Sequence, residues 1–284
     1  MTKELFVKEL ESKLNASIPT GYGIEVREIE KDGCNKTTII CRKPTATIAP
    51  VFYVDMLFKA YNNGESIESI IEYIIDESVS MKDDTADDLM ANLSNKSYVL
   101  DNVVAVLVGE NAKSRIDEQN CIYEPFNDMY IVYEIVVNVC GQQGTVRLTD
   151  SMLTACGATR EEVIIFGKSN ARENLGYVCT DLGELIGLGK GNTNMYVLTN
   201  KESYKGAYSV FYADLKGIAD KLGANLVLLP SSIHEWIIVA DDGRDVEDLK
   251  VMVKSVNGTM SKDEQLSDNV YYYNAETETF GLMK

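Results

Sequence analysis

The densest group of chemically reactive side chains lies in one short segment, residues 229–236. It contains two hydroxyls, the only histidine of the chain and a carboxylate, at Ser231, Ser232, His234 and Glu235. Acyl or phosphoryl transfer uses such groups when the histidine reaches the hydroxyl and a third group orients the histidine. One hypothesis for the segment is therefore a hydrolase-like enzyme.

A structural role explains the same segment equally simply. Apolar runs at 225–229 and 236–240 flank it, which predicts two strands joined by a turn. Adjacent side chains on a strand point to opposite faces, whereas serine hydroxyls in turns bond to the nearby backbone. We therefore expect a structural or recognition segment and assign no catalytic residue.

Asp128 is a second polar candidate. It ends the sequence PFND at 125–128, directly before a long apolar run at 129–139. A carboxylate at the start of a strand can serve in binding, but Pro, Asn and Asp are also the residues that form turns. Both interpretations remain open at this position.

The sequence predicts neither a cofactor nor a metal site. The sequence GLGKGN at 187–192 departs from a P-loop, because Glu184 stands where the first glycine belongs and Gly191 stands where Ser or Thr should follow Lys190. Zinc and iron–sulfur sites need clustered thiolates or imidazoles. The cysteines are instead scattered and contain no Cys-x-x-Cys pair: Cys34, Cys41, Cys121, Cys140, Cys156 and Cys179.

Charge restricts the class of partner. The chain has 27 basic and 44 acidic side chains, which gives a formal charge of −17. Residues 61–90 contain nine acidic residues and one basic residue, Lys82. Such a surface repels phosphate backbones and anionic membranes. We expect a protein partner, without direct binding of nucleic acid or membrane. The alternative is an acidic protein that imitates nucleic acid and inhibits a defence enzyme.

The apolar pattern also indicates the compartment. No run approaches the ~18 apolar residues that would span a membrane, and the first residues form an amphipathic helix rather than a signal peptide. These features predict a cytoplasmic protein.

The elements that must position these residues alternate between helical and strand patterns. Apolar spacing predicts helices at 3–14, from 50 to 61, at 67–75, after 150, after 159, at 204–222 and at 246–256. Thr159 and Glu162 predict a capping box at the start of the helix after 159. Asp32-Gly33 joins two alternating segments as a hairpin would. Hairpins with helices grouped between them predict an α+β fold with mostly antiparallel sheets. The sequence predicts either two lobes, residues 1–95 and 96–284, or one continuous domain.

Several phrases together resemble a bacterial family known as domain of unknown function 5688. They are YNNG (61–64), GEN (109–111), PFNDMYIVY (125–133), KSN (168–170), VLTNK (197–201), GA (206–207) and LPSSIHE (229–235). The resemblance covers nearly the whole chain, although Trp236 stands where an aliphatic residue is usual. It makes Asn200 and Lys201 candidate binding residues.

The resemblance implies a cytoplasmic bacterial protein, often encoded near conjugative or phage-derived genes, but it brings no activity, cofactor or catalytic residue. Combined with the charge and the tyrosine-rich strands, it favours a non-enzymatic protein-interaction or regulatory accessory factor of a mobile element. The hydrolase-like enzyme and the nucleic-acid mimic are the alternatives.

Overall fold

A computed structural model describes residues 1–31, 34–44, 46, 49–80, 85–139, 142–191, 193–202 and 204–284. The fold is α+β with mostly antiparallel sheets, as predicted. The predicted turn at Asp32-Gly33 lies outside the described residues. No helix within these ranges is long and apolar enough to cross a bilayer.

The helices and strands follow one another in mixed order along the chain. The helices are α1 (Lys3–Ser17), α2 (Val54–Asn62), α3 (Ile67–Ser80), α4 (Thr85–Leu93), α5 (Lys96–Asn102), α6 (Lys113–Glu118), α7 (Asp150–Cys156), α8 (Arg160–Asn170), α9 (Leu182–Leu185), α10 (Leu215–Leu222) and α11 (Val246–Asn257). The strands are β1 (Gly23–Lys31), β2 (Cys34–Arg42), β3 (Val51–Tyr53), β4 (Val103–Gly109), β5 (Tyr123–Phe126), β6 (Met129–Val139), β7 (Gln142–Arg147), β8 (Val178–Asp181), β9 (Met195–Thr199), β10 (Leu226–Ser232), β11 (Glu235–Ala240), β12 (Tyr271–Asn274) and β13 (Thr279–Leu282).

The chain forms two compact units. Unit 1 comprises Met1–Leu93 and Asn138–Gly144, and unit 2 comprises Ser94–Val137 and Thr145–Lys284. In unit 1, β1, β2 and β3 form an antiparallel sheet in that order. Phe6, Leu10 and Leu14 recur every four residues on α1, so they share one face and are fully buried in the core.

Unit 2 contains the two larger sheets. One has the strand order β13-β12-β10-β11-β9-β8, and the other joins β4, β6 and β5, with β7 beside β6. Helix α8 begins at the capping box that the sequence predicts, in which Thr159 and Glu162 bond to each other's backbone. It packs closely on β6, since a Cβ added to Gly167 would lie 2.6 Å from Cδ1 of Tyr133.

Two predicted helices were wrong in part. Residues 51–53 form the strand β3, because they pair with Thr38–Ile40 of β2 instead of beginning the helix. The predicted helix at 204–222 divides into a 3-10 segment, Gly206–Phe211, and α10. The division occurs because the Asp214 carboxylate accepts the backbone N–H of Gly217 and starts a new helix.

Candidate functional site

The hydroxyl of Ser232 has a structural use in the turn between β10 and β11. Its Oγ lies 2.9 Å from Oε1 of Glu235, to which it donates, and it accepts the backbone N–H of His234 at 3.0 Å. Ser232 is buried. Three of the four sequence candidates are therefore brought together, but by the hydrogen bonds of a turn.

The imidazole of His234 takes no part in these bonds. The backbone carbonyl of His234 accepts the hydroxyl of Thr199 at 2.7 Å. Across the described ranges, the imidazole forms no hydrogen bond with a serine or threonine hydroxyl or a cysteine thiol. Nucleophilic catalysis needs a histidine within reach of the hydroxyl, so this geometry gives the hydrolase hypothesis no support.

Replacing Ser232 by alanine tests the structural role of the hydroxyl. The change removes two hydrogen bonds at a buried position, and we expect the free energy of unfolding to fall by about 1–2 kcal/mol in urea denaturation. Ser231→Ala is the matched control, because Ser231 is only half-buried. Hydrolysis of p-nitrophenyl acetate that is abolished by Ser232→Ala with stability unchanged would instead establish catalysis.

Asn200 closes the loop that follows β9. Its Oδ1 accepts the backbone N–H of Tyr204 at 3.0 Å, and its Nδ2 donates to the carbonyl of the same residue. Asn200 is buried, whereas the side chain of Lys201 is exposed and its backbone N–H donates to Leu175. Of the two binding candidates from the resemblance, only Lys201 presents its side chain to solvent.

Gly206 lets this loop approach the 232–235 turn. A Cβ at this position would lie 2.6 Å from both the backbone N of Asn200 and the carbonyl oxygen of His234, and nearer still to Oγ1 of Thr199. The next residue, Ala207, donates its N–H to the carbonyl of Ile233 at 3.1 Å. The phrases VLTNK, GA and LPSSIHE, far apart in sequence, therefore meet at one junction.

The same loop carries charge into the interior. Nζ of Lys205 lies 2.6 Å from Oε2 of Glu134, a side chain on β6 with only 2% of its surface exposed. The guanidinium of Arg147 lies 3.3 Å from the same carboxylate, and the hydroxyl of Tyr204 also donates to it. Glu134 thus has two cations and a hydroxyl as partners.

These partners keep the Glu134 carboxylate ionised. Burial alone would raise the pKa of Glu134, but the charges of Lys205 and Arg147, with hydrogen bonds from Lys205 and Tyr204, outweigh it and lower the pKa to about 2. The Glu134 site was not predicted from the sequence. The available signal was a single carboxylate within the apolar run 129–139, since glutamate is almost never buried unless it is paired.

The carboxylate of Asp128 also forms hydrogen bonds within the protein. Its Oδ2 accepts the hydroxyl of Ser267 at 2.5 Å and the side-chain amide of Asn269 at 2.9 Å, while Oδ1 accepts the hydroxyl of Tyr271. The carboxylate therefore ties the β5–β6 turn to the segment before β12. Tyr271 and Tyr133 are fully buried, so neither presents its ring to a partner.

Unit 1 contains an apolar concavity, which we call the α2–α3 groove. Its volume is about 450 Å³, and it is lined by Val51, Phe52, Tyr53, Met56, Leu57, Ala60, Glu65, Ser69, Ile70 and Tyr73. Met56 is 70% exposed and Tyr73 is 50% exposed. Large apolar side chains that stay exposed around a concavity are typical of an interaction site.

The groove lies beside the open edge of a sheet. Strand β3 pairs with β2 on one side only, and it ends the three-stranded sheet of the described residues. The edge of a sheet presents backbone N–H and C=O groups that another strand can pair with. Val51 is 43% exposed, so this edge is accessible.

Negative charge lies along α3 beside the groove. Residues 51–80 contain six acids (Asp55, Glu65, Glu68, Glu72, Asp76 and Glu77) and one base, Lys59. Asp76 follows Tyr73 by three residues and Glu77 follows it by four, so both lie near Tyr73 on α3. The apolar surface of the groove therefore has an acidic border.

Metal-ligating side chains do not converge in the described part of the chain. No group of three or more His, Cys, Asp or Glu residues has an arrangement that could hold an ion. Cys41, Cys156 and Cys179 are free thiols.

Comparison with known proteins identifies the family alone. No curated protein and no solved structure matches the chain. Residues 3–275 match the family described as "Family of unknown function (DUF5688)", which confirms the resemblance seen in the sequence phrases. Because the match spans nearly the full 284 residues, the chain belongs to the DUF5688 family.

Proposed function

We propose that this protein is a non-enzymatic protein-interaction factor, acting in the bacterial cytoplasm as an accessory factor of a mobile element. The observation that supports the interaction role is the α2–α3 groove, where exposed Met56 and Tyr73 border an apolar concavity. The family resemblance supports the cellular setting, and the net charge of −17 supports a protein partner in place of nucleic acid or membrane.

The occupant of the groove is an extended segment of a partner protein. Backbone groups of such a segment pair with the open edge of β3, as in other complexes that extend a sheet by one strand. Alternate side chains of an added strand point to one face, so bulky apolar residues at every second position enter the groove beside Met56 and Tyr73.

The segment is also basic. Two of the six acids in residues 51–80 pair with lysines of α1, Asp55 with Lys3 and Glu68 with Lys13. The other acids on α3 favour lysine and arginine on the flanks of the bound strand, where they face water and the acidic border together. Charges at the rim of an interface mainly speed association and make it sensitive to salt. Apolar anchors therefore supply most of the affinity.

Selection from a random peptide library displayed on phage tests the proposal directly. We expect the immobilised protein to enrich peptides that alternate bulky apolar residues with lysine or arginine. A Met56→Lys variant, which places a cation in the groove, should weaken binding of these peptides by about tenfold or more, a loss of about 1.4 kcal/mol.

The matched control is Val251→Lys on α11 of unit 2, because Val251 is 66% exposed and lies outside the groove. Exposed substitutions of this kind change stability by about 0.5 kcal/mol or less, so both variants should remain folded. Enrichment of acidic or uncharged peptides, or binding that Met56→Lys leaves unchanged, would contradict the proposed surface.

A further inference from the structure

A second concavity lies in unit 2, between α8 and the 3-10 segment Gly206–Phe211. Its volume is about 560 Å³, and it is lined by Ile131, Lys168, Ser169, Arg172, Glu173, Tyr208, Phe211 and Tyr212. Pockets that hold small molecules combine an apolar or aromatic lining with a few polar groups that fix orientation. This pocket has both.

The hydroxyl of Tyr208 is the first polar group without a partner. Only 5% of Tyr208 is exposed, yet within the described ranges its hydroxyl forms no hydrogen bond. The neighbouring Tyr212 hydroxyl donates to the carbonyl of Gly176 at 2.9 Å. The Tyr208 side chain lines the pocket, so its hydroxyl is available to donate a hydrogen bond to a ligand atom there.

The pKa of Tyr208 indicates which role this hydroxyl plays. Burial raises the pKa of Tyr208, and the negative charge of Glu124 raises it further. The phenol therefore remains protonated at neutral pH and can donate a hydrogen bond to a ligand oxygen.

Arg172 is the second unpaired group. It lies in a π-helical turn, Ala171–Leu175, which directly follows α8, and such turns occur frequently at functional sites. Lys168 is held by Glu124 at 2.8 Å, and the Ser169 hydroxyl donates to Glu173 at 2.9 Å. The guanidinium of Arg172 has no such bond to any residue that the structure describes.

Aromatic rings supply the apolar wall. The ring centroids of Tyr208 and Phe211 lie 4.9 Å apart, and those of Tyr208 and Tyr212 lie 6.1 Å apart. Edges and faces of such rings pack against a planar aromatic ligand. The wall and the two polar groups therefore suit one molecule that has an aromatic ring and an oxygen anion.

We propose that this pocket binds small aromatic carboxylates, with the carboxylate on the Arg172 guanidinium, one of its oxygens accepting the Tyr208 hydroxyl, and the ring against Phe211. Arginine binds a carboxylate through two parallel hydrogen bonds. Glu173 and Glu124 lie near the site, so a ligand with one negative charge is favoured over a doubly charged phosphate.

Ligand-observed NMR titration with benzoate tests the inference, and benzamide and benzylamine are the neutral and cationic controls of the same size. Benzoate should bind, with benzamide at least about tenfold weaker and benzylamine without measurable binding. Equal binding of benzoate and benzamide, or no benzoate binding, overturns the proposal.

Two variants locate the binding. Arg172→Gln should weaken benzoate binding by about tenfold, and Tyr208→Phe, which removes one hydroxyl, by about three- to tenfold. Arg160→Gln is the control, because Arg160 begins α8 about 18 Å away along the helix axis and pairs with Asp150. With folding verified by circular dichroism, benzoate affinity that is unchanged in Arg172→Gln refutes the site.

Discussion

Replacing Glu134 by glutamine is expected to lower the free energy of unfolding by about 3–5 kcal/mol. The carboxylate is the shared counter-charge of Lys205 and Arg147, and it has 2% of its surface exposed. The amide removes that charge without removing volume. Two cations then remain partly buried without their anion, which is the costly state.

Urea denaturation measures the loss. Glu202→Gln is the matched control, because it makes the same chemical change on an exposed side chain of the same loop. Exposed substitutions usually change stability by about 0.5 kcal/mol or less. A loss below about 1 kcal/mol for Glu134→Gln would show that the network contributes little to the folded state.

Lowering the pH should remove the stabilisation that the ionised Glu134 carboxylate provides. The pKa of Glu134 is lowered from 4.5 to about 2 in the folded chain, so folding favours the ionised form. The stabilisation is complete above pH 4.5 and is lost as the pH falls towards 2. The difference of 2.5 pKa units, 4.5 minus 2, corresponds to about 3 kcal/mol. Glu134→Gln should therefore lose less stability than the parent protein over this interval.

Replacing Gly206 by alanine is expected to cost about 3 kcal/mol or to prevent folding of unit 2. The added methyl would meet the backbone N of Asn200 and the carbonyl oxygen of His234 at 2.6 Å, and Oγ1 of Thr199 closer still. Backbone atoms in a hydrogen-bonded junction cannot move aside as a flexible side chain would. The loop and the 232–235 turn must therefore separate.

Trp236 reports on that separation. It is the only tryptophan, it is fully buried, and its indole N–H donates to the carbonyl of Ala207 at 2.7 Å. Gly206→Ala should shift tryptophan emission to longer wavelength as well as lower the urea midpoint. Gly258→Ala is the control, since a Cβ there meets its neighbours at an ordinary 3.5 Å. Parent-like emission and stability in Gly206→Ala would refute the close approach.

Elements with a strong local pattern could be predicted from the sequence. Runs of apolar residues predict the two strands that flank the 229–236 segment. A four-residue motif predicts the capping box at Thr159. The helix predicted at 204–222 failed because local apolar spacing cannot reveal that Gly206 lies against the 232–235 turn. The helix predicted at residues 51–53 was wrong for a related reason, since only pairing with β2 makes these residues a strand.

The polar sites depend even more on distant contacts. Glu134 pairs with Arg147, 13 residues away, and with Lys205, 71 residues away. Asp128 meets Ser267 across 139 residues. No local periodicity marks such pairs. The spacing of α2 leaves Met56 off the apolar face of Val54 and Leu57, but only the folded unit shows that Met56 borders a groove.

The interaction proposal is tested most directly by NMR of the protein labelled with [¹³C-methyl]methionine, titrated with a peptide selected on phage. Met56 borders the α2–α3 groove, whereas Met252 lies on α11 of unit 2, so both signals are followed in one spectrum. The groove predicts that the Met56 methyl signal shifts with the binding isotherm while that of Met252 stays fixed. Saturable binding that leaves the Met56 signal in place would contradict it.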